Sequence, residues 1–169
     1  MKEFLRKKLK SFIGISELEN NIDQIKYLNG KKLIDKIVSR ANDISNCKVG
    51  VFSQGEEDSV IQFIISRINI MNKTFIELGS SNYKESNTRF LLLNNKWNGL
   101  IVDGSSVNIN EIKKSYFYWK YPLEAKEKFI TTANILETIN EFKKDKKFGL
   151  LSVDLDGNDY WILKKILEN

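Results

Sequence analysis

Four short apolar runs, each closed by a polar or acidic residue, do most to limit what this chain can become. Thr74–Leu78, Leu100–Val102, Phe129–Thr132 and Leu150–Val153 are too short for buried helices and are followed by turn or polar residues, so they read as strands. Between them Ser86–Asn95, Asn108–Tyr116 and Ile135–Lys144 read as helices, the last opened by an Asn134/Glu137 capping pair. The closing residues fall at 77, 103, 134 and 154, in steps of 26, 31 and 20. That rhythm of strand and helix predicts a parallel sheet with right-handed crossovers. Sheets of this kind bind ligands outside the carboxyl ends of their strands, near the switch in strand order, so the residues just after each run are the candidates for chemistry.

Upstream the pattern is helical. Leu33, Ile34, Ile37, Val38, Ala41 and Ile44 repeat at helical spacing and predict a helix over about residues 31–45, and Asn29-Gly30 is expected to separate it from a weaker amphipathic stretch at Leu18–Leu28. Ser53 and Glu56 read as a capping box opening a helix that carries Val60, Ile61, Ile64, Ile65 and Ile68. Residues 1–48 are thus expected to form a basic helical extension, and 49–169 an α/β domain.

Charge and composition exclude several kinds of chemistry. The net charge is +5, of which +4 sits in Met1–Lys10, so the folded body lacks the basic face that nucleic acid requires. Phe4, Leu5, Leu9, Phe12 and Ile13 line one side of a notional helix over residues 1–13, opposite lysines. Such a helix can lie on an anionic membrane surface, but packing on its own domain or on a partner is the favoured expectation. No apolar run approaches the ~18–20 residues that cross a bilayer. With no histidine, the chain has no Ser-His-Asp or Cys-His machinery and no His-ligated zinc. The single cysteine, Cys47, allows no internal disulfide and suits a reducing, cytoplasmic setting. Acid–base work must fall to Asp, Glu, Lys or Tyr.

The strand ends supply such groups. Phe75-Ile76-Glu77-Leu78-Gly79-Ser80-Ser81-Asn82 ends a strand in acid-x-Gly, which turns the backbone sharply beside a carboxylate, and the following helix offers free amides to an anion. With Gly79 alone, the loop lacks the glycines of a dinucleotide fingerprint. Asp103-Gly104 ends the next strand, where an acid can accept from both ribose hydroxyls or merely form a turn. Asn134 can border an adenine edge or cap a helix. Asp154-Leu155-Asp156-Gly157-Asn158-Asp159-Tyr160-Trp161 places three carboxylates within six residues. Their repulsion favours a raised-pKa base, a metal ligand or a cap for the last helix.

Together these strings resemble the class I, Rossmann-like S-adenosylmethionine-dependent methyltransferases. Ser53-Gln54-Gly55-Glu56-Glu57-Asp58, Glu85-Ser86-Asn87-Thr88, Trp97-Asn98-Gly99-Leu100 through Asp103-Gly104-Ser105, and Leu151 through Trp161 are similar to the FkbM-like branch, often found among polysaccharide-tailoring enzymes. The resemblance covers roughly residues 50–165. It implies methyl transfer to an oxygen or nitrogen of a small-molecule or saccharide acceptor. Glu77, Gly79 and Ser80 would then flank the methionine moiety, Asn87 and Thr88 its carboxylate, Asp103 and Gly104 the ribose, and Asn134 the adenine. Asp154 would face the methyl, with Asp154 or Asp156 as base or as ligands of a Mg²⁺ ion. The family tends to have Gly where this chain has Tyr83. About four of the usual seven strands can be counted, so the expectation is a fragment, or a sheet completed by association into a homo-oligomer. A non-catalytic interaction module or methyltransferase remnant, and a metal-dependent nucleotide-sugar enzyme using Asp154-Leu155-Asp156, are the alternative readings.

Overall fold

Short buried strands alternating with helices build a four-stranded, all-parallel sheet of order β3-β2-β1-β4 in this computed structural model, which describes residues 4–6, 8–9, 14–143 and 147–169. The strands are β1 (Thr74–Leu78), β2 (Asn98–Asp103), β3 (Leu123–Glu127) and β4 (Leu150–Val153). Their register sets Leu78 beside Val102 and Val153, and Asp103 beside Glu127, so all four carboxyl ends lie along one edge of the sheet. The chain starts in the middle at β1, winds outward through β2 and β3, then crosses to β4 on the other flank. The order of winding therefore switches between β1 and β4. The fold is α/β and Rossmann-like, with an N-terminal helix added.

Helices cover both faces, as a parallel sheet requires. Phe75, Ile101, Leu123 and Ala125 point to one side, where they pack in one core with Ile34 of α1 (Ile15–Arg40), Val51, Phe52 and residues of α2 (Glu57–Arg67), α3 (Ser106–Lys113) and α4 (Tyr116–Lys120). Ile76, Leu78, Leu100 and Val102 point to the other, against Ile135 and Ile139 of α5 (Ile135–Lys143) and Ile162 of α6 (Asp159–Leu167). A five-residue π-helical turn, Leu91–Asn95, leads into β2 and ends at Lys96 in the left-handed region, φ 59°. No helix among the described residues is long and apolar enough to cross a membrane.

The structure differs from the sequence reading in several places. The third strand is Leu123–Glu127, not Phe129–Thr132. As an edge strand it alternates buried Leu123 and Ala125 with exposed Glu124 and half-buried Lys126, and it ends on exposed Glu127. Charge on an edge discourages unwanted pairing and also hides the strand from a search for apolar runs. Phe129–Thr132 is the loop after it. Helix α1 runs unbroken through Asn29-Gly30. Gly30 is there for proximity: a Cβ on it would lie 2.3 Å from Val51 Cγ2. The expected helix at 31–45 stops at Arg40, and Ile44 sits in a short 3₁₀ turn. Ser53 and Glu56 form no capping box; the Ser53 hydroxyl accepts from the Asp58 amide, and α2 begins at Glu57. Asn134 caps nothing ahead of it. Its Oδ1 accepts from the Thr131 amide and its Nδ2 donates to the Phe129 carbonyl, which ties the loop behind it. Of residues 1–13, Phe4, Leu5 and Leu9 are exposed, whereas Phe12 and Ile13 lie outside the described residues, as does Lys144.

Helix α1 is fastened to the body by a buried cation. The Arg89 guanidinium is 2% exposed, lies 4.4 Å from the Phe52 ring centroid and 5.0 Å from that of Phe117, and pairs with Asp23 of α1. Its other fork donates to the Lys84 carbonyl at 3.0 Å. Tyr27, Gly30, Ile34 and Val38 continue the inward face of α1. The fit at Gly30 is a close one. Gly30→Leu should lower urea-unfolding stability by about 2–3 kcal/mol through overpacking, whereas Asn29→Ala, on the exposed side, should leave it equal or slightly raised. Equal midpoints for wild type and Gly30→Leu would show that Gly30 is not a packing position.

Candidate functional site

The switch between β1 and β4 opens a polar crevice of about 530 Å³, lined by Gln54, Glu57, Glu77, Gly79, Lys84, Asn87, Asp154 and Asp156 among others. Four segments meet there: the loop before α2, the end of β1 with its following loop, the start of the next helical segment, and the loop after β4. A crevice at this point of a parallel sheet is where such folds bind ligands. A second cavity of about 440 Å³ lies at the opposite, amino ends of the strands, around Thr74, Asn98 and Leu123, far from the carboxylates that end them.

Glu77 lies at the floor and is only 2% exposed. Its carboxylate accepts from the Ser86 hydroxyl at 2.7 Å, the Asn87 amide at 3.0 Å and the Thr88 hydroxyl. Burial pushes its pKa above the ordinary carboxylate value, and these hydrogen bonds pull against that rise. Thr88 is fully buried and bonded to both Glu77 and the Tyr83 hydroxyl, so its hydroxyl is committed within the protein. Asn87 reaches across to β4, its Nδ2 donating to Ser152 Oγ at 3.2 Å. A second buried acid works the same way nearby. Asp58 Oδ2 accepts from the amides of Val51, Phe52 and Ser53, and burial raises its pKa too.

The loop after β1 carries unusual backbone. Gly79 has φ +83°, and a Cβ there would sit 1.7 Å from the Asp154 carbonyl oxygen, so only glycine lets the β1 and β4 loops press together. Ser81 and Tyr83 also adopt positive φ, 48° and 62°, without being glycine. Tyr83 holds this conformation with a buried ring packed 5.6 Å from Phe117 and a hydroxyl 2.9 Å from Thr88 Oγ1. Strain of this sort persists only where the surroundings over-determine it. The Ser80 hydroxyl is buried in the same loop and has no hydrogen-bond partner among the described residues.

The acidic groups after β4 divide their roles. Asp159 accepts from the amides of Leu155 at 2.6 Å and Gly157 at 3.2 Å, which fixes the turn into α6 and holds its own pKa below the usual range. Asp156 stands exposed with φ 50°. Asp154 has its pKa raised, first by loss of solvent and then by the charges of Asp156, Asp159 and Glu57. Among the described residues no group of three or more Cys, Asp or Glu is placed to hold a metal ion.

Asp103 ends β2, and its Oδ1 accepts from the Ser105 amide at 2.8 Å and from Asn108 Nδ2 at 3.0 Å, so it helps start α3. Gly104 faces the Phe129 ring, with a Cβ there falling 3.1 Å from Phe129 Cδ2. Beyond Phe129 a slot of about 380 Å³ runs between Phe129–Thr132, Asn158 and Trp161. Phe129 is 73% exposed and Trp161 58%, two aromatic surfaces at the carboxyl edge of the sheet. Asn134 lies behind this loop and braces it. The sequence had signalled Glu57 and Trp161 only as parts of longer strings, and Phe129 as a strand residue; an exposed aromatic after an acid-Gly turn was the available clue.

No protein-family model, curated protein or solved structure matches this chain.

Glu77 should behave as a structural acid. Glu77→Gln puts an amide donor where three donors already converge, and should cost about 1–3 kcal/mol. Because its folded pKa is raised above the unfolded value, ionisation works against folding. The stability of wild type relative to Glu77→Gln should therefore fall as pH rises from 4.5 through the raised folded pKa, and stay level above it. Urea unfolding of both proteins from pH 4 to 8 measures this, and a difference that grows with pH would contradict it.

Proposed function

We propose that this chain is an S-adenosylmethionine-dependent methyltransferase domain of the FkbM-like kind, acting on an oxygen or nitrogen of a small-molecule or saccharide acceptor. The observation that carries the reading is the pairing of two neighbouring openings at one sheet edge: an acidic crevice around Asp154 and an aromatic slot between Phe129 and Trp161. A ligand with a flat base at one end and a cationic sulfur and ammonium at the other has matching requirements at both.

The residues present fit that ligand by donor type. Glu57, Asp154 and Asp156 supply negative charge for a cationic centre, and Lys84 lines the same crevice and suits a carboxylate. Asp103, half-buried at the end of β2, offers carboxylate acceptors of the kind that suit ribose hydroxyls. The unpartnered Ser80 hydroxyl offers hydrogen-bonding capacity that the fold itself does not use. Phe129 and Trp161 offer faces for a base. Glu77 and Thr88 act one layer down, shaping the loop.

When bound, S-adenosylmethionine supplies a methyl group on a positively charged sulfur, already a strong electrophile. What remains for the chain is orientation and a proton acceptor. Alignment of an acceptor atom can contribute up to ~7–11 kcal/mol. Asp154 is the group proposed to take the acceptor's proton at its carboxylate, since its raised pKa makes it a stronger base than an ordinary aspartate. A positioned base contributes about 10²–10⁴-fold.

Two outcomes test the assignment. Calorimetric titration with S-adenosylhomocysteine should show binding to wild type and at least about tenfold weaker binding to Asp103→Ala, a loss of about 1.4 kcal/mol. Asp154→Asn should retain affinity but lose about 10²–10⁴-fold in turnover. Failure of wild type to bind the ligand removes the reading. For the second, Asp154 must be ionised to act, and Asp156 raises its pKa. Asp156→Asn should therefore move the acidic limb of the turnover–pH profile to lower pH, and an unmoved or raised limb would reassign the base.

A further inference from the structure

Helix α1 has two apolar faces, and the body of the domain uses one. Asp23, Tyr27, Gly30, Ile34 and Val38 face inward. Taking ~100° per residue, Leu18, Ile22, Ile25 and Leu33 fall within about 80° of the helix surface on roughly the opposite side, with Leu28 on their flank. All are more than half exposed: Leu18 58%, Ile22 53%, Ile25 59%, Leu28 56% and Leu33 52%. Single exposed apolar residues are ordinary, but five of them along one side of a helix, interrupted only by Asn29, call for a partner.

The stripe is complementary to itself when reversed. Turned end for end about Ile25, Ile25 meets Ile25, Ile22 falls level with Leu28, and Leu18 falls within one residue of Leu33. Charge follows the same symmetry. Glu17 lies at the amino-terminal end, and Lys32 and Lys36 at the carboxyl-terminal end of the stripe, all exposed. Antiparallel packing brings Glu17 of one copy within one residue of Lys32 of the other, whereas parallel packing would set like charges together. At about 100 Å² per apolar side chain, two copies bury on the order of 1,000 Å², the lower bound for a specific interface. Among the described residues, the core that packs on α1 lies on the other side of the helix.

We propose that the outer face of α1 is the contact between two copies of this chain, packed antiparallel about a two-fold axis near Ile25. A two-fold contact of this type uses the same patch on both partners and closes at two subunits. The inference does not depend on methyl transfer.

Sedimentation velocity of the full chain at about 1–50 µM should give a species of twice 19.7 kDa. Ile22→Lys/Ile25→Lys should sediment as a monomer with an unchanged far-ultraviolet circular dichroism spectrum, since both side chains point away from the body. Lys32→Glu should weaken association about tenfold, and adding Glu17→Lys to it should restore the affinity. Direction is tested with engineered thiols, Cys47 being buried. Ile25→Cys should cross-link to itself, Leu18→Cys should not, and Leu18→Cys mixed with Leu33→Cys should. A wild-type monomer throughout the range, a dimer that survives the double lysine variant, or self-linking of Leu18→Cys overturns the proposal. So does recruitment to vesicles of anionic lipid that the double lysine variant abolishes while no dimer forms in solution.

Discussion

A buried carboxylate at the end of the central strand organises this molecule. Glu77 sits where β1 meets the loop that must double back toward the next helical segment, with almost no access to water. Leaving an acid there without partners would cost several kcal/mol. The chain answers by folding Ser86, Asn87 and Thr88 onto the two carboxylate oxygens. That fixes both ends of the intervening loop, and residues 79–85 must span a short gap. The positive φ values at Gly79, Ser81 and Tyr83 are the consequence. Asn87 then reaches Ser152, so the same knot also ties β1 to β4 where the winding changes direction. The crevice takes its shape from a demand to satisfy one anion.

Around that anion, acids of the same kind do different work according to water and neighbours. Glu77 and Asp58 are buried and satisfied by loop donors, so each acts as a clasp. Asp159 is half-buried and is held ionised by two amides, so it defines a turn. Asp154 receives no such compensation and faces three other acids, which is why its proton affinity rises without deep burial. Groups pushed apart in this way are candidates for acid–base roles, though ion clusters of purely structural use can show the same signs. Asp154 alone of the four both lines the crevice and keeps its carboxylate uncommitted to a turn or loop.

Much of the fold could be read from letters because burial on both faces makes parallel strands continuous apolar runs. Thr74–Leu78, in the middle of the sheet, and Leu150–Val153, a half-buried edge, match the observed strands residue for residue, and the acids at their ends do fall on one edge of the sheet. The failures come from contacts between distant residues. Leu123–Glu127 is amphipathic because it is an edge, and its charges conceal it. Asn29-Gly30 looks like a stop because glycine's usual role is local, whereas here it is vacated space for Val51. Within the site, Asp154, Asp156 and Asn87 line the crevice, but the packing roles of Glu77 and Thr88 could not be seen, because nothing in the spacing says that residues nine and eleven apart will bond. Tyr83 adopts positive φ without being glycine, and a buried ring and hydroxyl compensate for the missing freedom.

The N-terminal helix is joined to the crevice more closely than its position in the chain suggests. Arg89 begins one residue beyond the Glu77 clasp, donates to the Lys84 carbonyl in the strained loop, and pairs with Asp23 on α1 while its guanidinium is held between Phe52 and Phe117. Phe52 in turn accepts the Ser86 amide through its carbonyl. The inward face of α1 is therefore one turn of buried contacts away from the loop that walls the crevice. Breaking the Asp23–Arg89 pair would leave a cation stranded among apolar rings, a costly state that the loop could relieve only by shifting. Whatever holds α1 in place thus also bears on the shape of the crevice, which gives a helix lying outside the α/β unit a physical route to it.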